Sequence, residues 1–192
     1  MATRGHGSED RLLDAARDCV LAVGLRRTTL TDVARRAGVS RMTMYRRWAD
    51  MGALMSDLMT REWGRLAVAA FDEAAGENGR ERLVDALTRG VRALRDHAMF
   101  RRVVEVNPEV LLPYLFERRG SVQEMILAQA MTALRDGQAD GSVRDGDPAT
   151  LARALLLTAH GFVFSASTMT DQVGEKALDE EFRLLLERYL RP

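Results

Sequence analysis

Residues Thr31 to Trp48, TDVARRAGVSRMTMYRRW, have the spacing of two short helices joined by a tight turn. Ala34 is a small residue at the point where two such helices cross closely, and Gly38 stands where the chain must take a left-handed turn. Ser40 can cap the second helix by accepting a hydrogen bond from a free backbone amide. This spacing is typical of a helix-turn-helix, whose second helix enters the major groove of DNA.

Cations and short hydrogen-bond donors are concentrated in and beside these two helices. The arginines are Arg35, Arg36, Arg41, Arg46 and Arg47, and the donors are Thr29, Thr31, Thr43 and Tyr45. Phosphate oxygens require this mixture of guanidinium and hydroxyl groups. An ordinary helical hairpin with an arginine-rich, solvated face is the competing interpretation. The helix-turn-helix spacing favours DNA binding.

Apolar residues at intervals of three and four predict helices on both sides of this segment. The first is expected between a cap at Ser8 and a stop at Gly24, and Asp50 can cap a long helix over residues 51–75. Further helices are expected over residues 80–97, 100–106, 108–118, 121–136, 148–169 and 175–190. We therefore predict an all-α chain, with an N-terminal three-helix domain over residues 1–50 and a larger helical domain over residues 51–192.

Composition and charge narrow the class of protein. The 192 residues are 46% hydrophobic and 29% charged, as in a globular chain. The first 50 residues carry ten arginines against six acidic residues, a net charge of +4, while the remainder carries −4. A polyanion would therefore bind at the N-terminal end. The most apolar segment, residues 154–169, is too short and too polar to span a bilayer.

The cysteine, histidines and serines of the chain indicate no further site. A single cysteine, Cys19, cannot form an intrachain disulfide, and the N-terminus lacks the apolar region of a secretory signal, so we expect a cytoplasmic protein. His6, His97 and His160 are scattered, and the chain contains no HExxH, CxxC or GxSxG motif. We expect no metal, no cofactor and no enzymatic activity.

The longer run TTLTDVARRAGVSRMTMYRRWADMGAL, from Thr28 to Leu54, resembles the DNA-binding domain of the TetR family of bacterial transcriptional repressors. The segment GQADGSVRDGDPATLARAL, from Gly137, is similar to the loop and helix that precede the dimerising helices in many members. The resemblance implies a homodimer whose recognition helices enter successive major grooves of a palindromic double-stranded operator. It also implies that a small molecule bound in the C-terminal domain releases the DNA.

The resemblance assigns DNA contacts by motif position. Phosphate contacts are expected from Thr29, Thr43, Arg46 and Arg47. The residues nearest the base edges are expected to be Thr31, Arg41 and Met42. Arg41 can bind guanine through O6 and N7, Met42 offers apolar contact alone, and Tyr45 would lie against the backbone or a thymine methyl. Trp48 is expected in the core, and Met51 stands where the family commonly has a lysine, so one phosphate contact is expected to be missing.

The resemblance also locates a ligand cavity in the larger helical domain. The residues on its cavity-lining helices are Trp63, Phe100, Met125, Gln129, His160 and Phe164. A largely apolar cavity of this kind suits a hydrophobic small molecule. For His160, which lies between Ala159 and Gly161 in an apolar helix, a hydrogen-bonded core or interface role is the more common alternative.

The last two predicted helices have apolar residues on more than one side. They include Leu155, Leu156, Leu157, Phe162, Val163, Leu178, Phe182, Leu185, Leu186 and Tyr189. A helix that is apolar around much of its circumference is buried on two sides, so we expect one side to cover the core and the other, including Phe182 or Leu185, to contact a second subunit. The sequence thus favours a ligand-responsive repressor. The alternative is a small all-helical enzyme or carrier whose basic N-terminal hairpin is structural.

Overall fold

The computed structural model describes residues 3–192, with side chains from residue 7 onward. Over that range the chain is helical and contains no strand. Helices α1 to α10 cover Thr3–Val23, Leu30–Ala37, Arg41–Arg47, Met51–Asp72, Gly79–Asp96, Ala98–Val106, Leu112–Phe116, Ser121–Ala139, Pro148–Phe164 and Glu175–Leu190. Short 3₁₀ turns cover Leu25–Arg27, Pro108–Val110 and Ala166–Met169. The all-α prediction is confirmed.

Several predicted helix ends are confirmed and others are wrong. Gly24 ends α1 as expected, but Ser8 lies inside α1, which begins at Thr3, and therefore does not cap it. The single helix expected over residues 108–118 is a 3₁₀ turn followed by the short α7. Pro113 lacks an amide hydrogen and its ring would clash with a preceding helical turn, so it fits only the first turn of an α-helix, and α7 begins at Leu112. The helix expected to reach Met169 ends at Phe164.

The chain divides into two compact units. The first unit contains the described residues up to Glu62 together with His97–Arg119, and the second unit contains Trp63–Asp96 and Gly120–Pro192. The sequence-based boundary lies between residues 50 and 51, where α4 begins, and α4 contributes residues to both units. The first unit therefore consists of two segments that are separate in sequence.

The core of the first unit is formed where α1, α2, α3 and the beginning of α4 pack together. Its fully buried side chains include Ala16, Val20, Val33, Ala34, Met44, Trp48, Leu54 and Leu58. The expected core position of Trp48 is confirmed, and its indole Nε1 donates to Asp57 Oδ2 at 2.8 Å. This packing fixes α3 with Met44 inward, so the opposite side of α3 faces solvent.

The core of the second unit is formed by α5, α8, α9 and α10. Phe182 is 0% exposed, and its ring lies 4.5 Å from that of Phe162. The expectation that Phe182 lies at a subunit contact is therefore wrong, because its side chain fills the core of its own subunit. Leu185, one turn along α10, is 51% exposed.

Candidate DNA-binding interface

Local hydrogen bonds build the helix-turn-helix from the predicted residues. Gly38 has φ of +69° and follows α2, and the amide of Val39 donates to the carbonyl of Ala34 at 3.0 Å, which ends that helix. Ser40 Oγ then accepts from the amide of Thr43 at 3.1 Å and starts α3. The predicted helix-turn-helix is confirmed.

The outer side of α3 is polar and basic, with one large apolar side chain. Arg41, Tyr45 and Arg46 are exposed, and Met42 is 75% exposed. An exposed methionine between arginines costs solvation in the free protein, which is typical of a surface that contacts a partner. Four residues with predicted DNA contacts are therefore accessible together on one helix: Arg41, Met42, Tyr45 and Arg46.

The arginines of this region differ in their ion pairs. Arg35 pairs with Asp32 at 2.8 Å, and Arg36 pairs with Asp18 at 3.1 Å. Arg47 pairs with Glu9 of α1, and its guanidinium lies 5.4 Å from the centre of the Trp48 ring. Arg41 and Arg46 form no ion pair within the described part of the chain. Their positive charges are uncompensated on the exposed side of α3.

The hydroxyl groups of two predicted phosphate donors, Thr29 and Thr43, already form hydrogen bonds within the protein. Thr29 Oγ1 donates to Asp32 Oδ2 at 2.6 Å and accepts from the Asp32 amide at 3.2 Å. This capping box holds the pKa of Asp32 below its usual value, mainly through the Thr29 hydroxyl. Thr43 Oγ1 lies 2.9 Å from Ser40 Oγ. The capping box was not predicted, although Thr29 and Asp32 have the required spacing.

The first turn of α4 follows directly after the helix-turn-helix. Asp50 Oδ1 accepts from the amide of Ala53 at 2.8 Å, which confirms the predicted cap. Met51 occupies the first position of α4, is half-buried, and brings no charge to this helix N-terminus. Thr31, in the first turn of α2, is also half-buried.

The predicted ligand-binding residues are divided between the units. Phe100 is buried in the first unit, whereas the other five belong to the second unit. His160 Nε2 lies 3.3 Å from Gln123 Nε2, and its ring meets Phe164 edge-on at 5.8 Å. Burial lowers the pKa of His160, so the imidazole is neutral and its Nε2 can accept from the Gln123 amide.

Gln123 was not predicted as a site residue, and its Oε1 also accepts from the amide of Gly120 at 2.8 Å at the start of α8. Trp63, Met125 and Gln129 are half-buried. Among the described residues, no group of three or more acidic, histidine or cysteine side chains is arranged to hold a metal ion. The described helices also lack a segment with the length and apolarity needed to cross a membrane.

Two family profiles and a curated relative match most of this chain. The profile of bacterial regulatory proteins of the tetR family matches residues 12–58, and that of the tetracyclin repressor-like C-terminal domain matches residues 78–187. An HTH-type transcriptional regulator of Mycobacterium tuberculosis is 34% identical over 180 residues, which is 94% of this chain and 93% of that protein. The chain therefore belongs to the TetR family of transcriptional regulators, and its helix-turn-helix is a DNA-binding domain.

Solved structures share the fold along nearly the whole chain. The Rhodococcus erythropolis repressor QsdR, from the TetR family, is 22% identical with a TM-score of 0.68, and the match covers 96% of each chain. The regulator FadR from Bacillus subtilis, in complex with stearoyl-CoA, is 17% identical with a TM-score of 0.67, covering 95% of this chain and 99% of FadR. The predicted arrangement of an N-terminal helix-turn-helix and a larger helical C-terminal part is confirmed.

Proposed function

We propose that this regulator is a cytoplasmic homodimeric repressor that binds a palindromic operator and is released by a small hydrophobic effector. One observation carries the DNA-binding part of the proposal. Arg41 and Arg46 stand exposed on α3 without acidic partners in the described part of the chain, beside paired arginines on α2. Uncompensated guanidinium groups on an exposed helix favour a polyanion over a neutral partner. The proposal includes neither a cofactor nor an enzymatic reaction.

The two uncompensated arginines take different roles in the proposed complex. Arg41 is the first residue of α3, and the N-terminal residues of a recognition helix are those that reach base edges. Arg46, in the last turn, suits a phosphate. Arg47 can bind a phosphate in place of the Glu9 carboxylate with which it pairs in the free protein. Further base or backbone contacts are proposed for Thr29, Thr31, Met42, Thr43 and Tyr45.

The proposed dimer uses the exposed apolar side chains of α9 and α10. Leu157 is 71% exposed on α9, although its neighbours Leu155 and Leu156 are buried in the core. Leu185 and Tyr189 are exposed on α10. Two copies of such a surface can cover each other in an isologous contact and remove these side chains from water.

The proposed effector site uses the predicted residues of the second unit. Trp63, Met125 and Phe164 are half-buried apolar side chains, and Gln129 and the neutral His160 supply polar atoms. This chemistry suits an uncharged, largely apolar molecule with a hydrogen-bonding group. The fold also accommodates an acyl compound in FadR, whose structure contains stearoyl-CoA. Phe100 belongs to the first unit and is therefore left out of the proposed site.

The proposal is tested by selecting binding sites from a random DNA duplex library with the full-length chain. We expect a palindromic site to be enriched, and its affinity to exceed that of scrambled duplex and to fall steeply with salt. Arg41→Ala and Arg46→Ala should weaken this binding, whereas Arg65→Ala, an exposed arginine of the second unit, serves as the matched control. Binding without sequence preference would contradict the proposed operator recognition.

A further inference from the structure

A buried asparagine joins the two chain segments of the first unit. Asn107 follows α6 and is 1% exposed. Its side-chain Oδ1 accepts from the backbone amide of Leu25 at 3.0 Å, across 82 positions of sequence. A buried amide side chain with a specific long-range partner restricts how the two segments can be arranged, because either group would lose its hydrogen bond if they separated.

Glu109 extends this connection to the surface. Its Oε1 accepts from Asn107 Nδ2 at 3.3 Å and from Arg26 Nε at 3.0 Å. Leu25 and Arg26 are therefore both held by the segment that follows α6, one through the backbone and the other through its guanidinium. We call Asn107 and Glu109, with Leu25 and Arg26, the α6 clamp.

The clamp holds the turn from which the helix-turn-helix begins. Gly24 has φ of +82°, and Thr28, buried, donates from Oγ1 to the Gly24 carbonyl at 2.9 Å. The amide of Thr28 also donates to the Leu25 carbonyl at 3.0 Å. The turn is thus closed internally, and α2 starts directly after it from its Thr29 cap. A shift of this turn relative to α6 would therefore carry the start of α2 with it.

The close approach at this turn leaves little space. A Cβ at Gly24 would lie 3.2 Å from Val106 Cγ1 and 3.6 Å from Asn107 Oδ1. Val106 and Asn107 are therefore packed against the backbone of the turn, and Asn107 is also hydrogen-bonded to it. Packing and hydrogen bonding together define one position of the turn on the end of α6.

We propose that Asn107 is a positioning residue for DNA recognition, which, with Glu109, holds the turn before α2 on the end of α6 and so presents the helix-turn-helix in one orientation. This role rests on the proposed function, because it concerns discrimination between an operator and other DNA. Asn107 itself does not touch DNA in this proposal. Its removal should therefore reduce specific binding and leave the charge-dependent attraction to any duplex in place.

Three variants distinguish a positioning role of Asn107 from a general contribution to packing. Asn107→Ala removes both side-chain hydrogen bonds. Asn107→Asp keeps an acceptor for the Leu25 amide but places a carboxylate against Glu109. Asn107→Asp combined with Glu109→Gln reverses donor and acceptor between the two side chains and restores their hydrogen bond. It gives up the exposed ion pair with Arg26, because the same Glu109 Oε1 accepts from both partners, and such an exposed pair contributes little. Val103→Ala is the control, since Val103 is buried in α6 one turn before Asn107 and has no side-chain hydrogen bond to break.

The measurement is fluorescence anisotropy with the site that the wild-type chain selects and with a scrambled duplex, together with the thermal unfolding midpoint of each variant. We expect Asn107→Ala and Asn107→Asp to lower operator affinity on the order of tenfold, the scale of one buried hydrogen bond removed from each subunit. Affinity for scrambled duplex should not change, and the double variant should recover operator binding. Val103→Ala should retain operator discrimination even with a lower unfolding midpoint.

The inference is overturned if Asn107→Ala binds the operator as tightly as wild type, or if operator and scrambled duplex lose affinity equally. It is also overturned if Val103→Ala loses discrimination to the same extent, because general destabilisation then explains the effect. If Asn107→Ala does not fold, Asn107→Asp is compared with its double variant instead. Recovery of operator affinity in the double variant supports the positioning role, and equal affinities of the two variants overturn it. A wild-type chain that selects no site contradicts the proposed function itself, and the positioning role with it.

Discussion

The exposed sides of α3 and of α9 with α10 both carry large apolar side chains, but their charges are arranged differently. On α3, Met42 lies next to Arg41, which has no acidic partner in the described part of the chain. On α10, Leu185 lies near Arg183, which pairs with Glu187 at 3.2 Å and with Asp85 at 3.4 Å. Charge compensation therefore distinguishes a surface suited to DNA from one suited to a second copy of the chain.

The largest expected effect comes from placing an uncompensated charge on the α9 and α10 surface. Leu185→Arg should convert the proposed dimer into a folded monomer, because burying an unpaired cation in the contact costs about 3–5 kcal/mol. Sedimentation and circular dichroism measure the two properties. Operator binding should fall with the dimer.

Two further variants show whether the effect of Leu185→Arg is specific to the proposed dimer contact. Val104→Arg alters a partly exposed valine of α6 in the first unit and should leave the dimer intact. Phe182→Arg should prevent folding, because Phe182 lies in the core. A Leu185→Arg protein that sediments as a dimer would contradict the assignment of this surface.

The next effect concerns the uncompensated arginines of α3. Arg41→Ala should cost about 1–3 kcal/mol on the operator and relax preference at one base position in each half-site. Arg46→Ala should weaken binding to all duplexes alike and reduce the salt slope by about 0.9 for each phosphate that the variant no longer neutralises, hence by nearly two in a dimer. Equal sequence profiles for the two variants would refute this division of roles.

Variants of Arg47 test whether its ion pair with Glu9 reduces its contribution to DNA binding. Because Glu9 already pairs with Arg47, Arg47→Ala should change the salt slope less than Arg46→Ala does. Glu9→Gln removes the competing carboxylate and should steepen the slope. A slope change for Arg47→Ala as large as that for Arg46→Ala would show that phosphate displaces Glu9 fully in the complex.

A smaller effect is expected at the start of α4. Met51→Lys adds a cation where the helix N-terminus already favours phosphate, and should steepen the salt slope by about 0.9 for each subunit. In the free protein, the lysine opposes the helix dipole and should lower the free energy of unfolding by about 0.3–1 kcal/mol. Salt titration and urea unfolding measure these changes. An unchanged slope and affinity would show that residue 51 faces away from DNA.

The smallest effect is a pH dependence in the second unit. Burial lowers the pKa of His160 below its ordinary value of 6.5, so the unfolded chain binds a proton at that site before the folded chain does. The contribution of His160 to stability is present above about pH 6.5 and decreases as the pH falls towards the lowered value. His160→Leu should therefore flatten the pH dependence of urea unfolding between about pH 7 and 5. An unchanged slope would contradict the lowered pKa of His160.

Local signals made the helix-turn-helix predictable. Gly38, Ser40 and Asp50 act within one or two turns of chain, so their roles follow from residue type and spacing. The distinction between Phe182 and Leu185 was not predictable, because both are apolar and the packing of α5 and α9 decides which one is buried. The pairing of Arg47 with Glu9 likewise depends on how α3 lies against α1.

The bond from Leu25 to Asn107 has a consequence for recombining regulators of this kind. An exchange of residues 1–50 between two relatives would place a foreign turn against Asn107 and Glu109, whose donor and acceptor positions match Leu25 and Arg26 of this chain. The transferable module must also include His97–Arg119, although Trp63–Asp96 separates it from the first segment. A functional chimera therefore requires three crossovers, after Glu62, before His97 and after Arg119, and a single cut after the helix-turn-helix is insufficient.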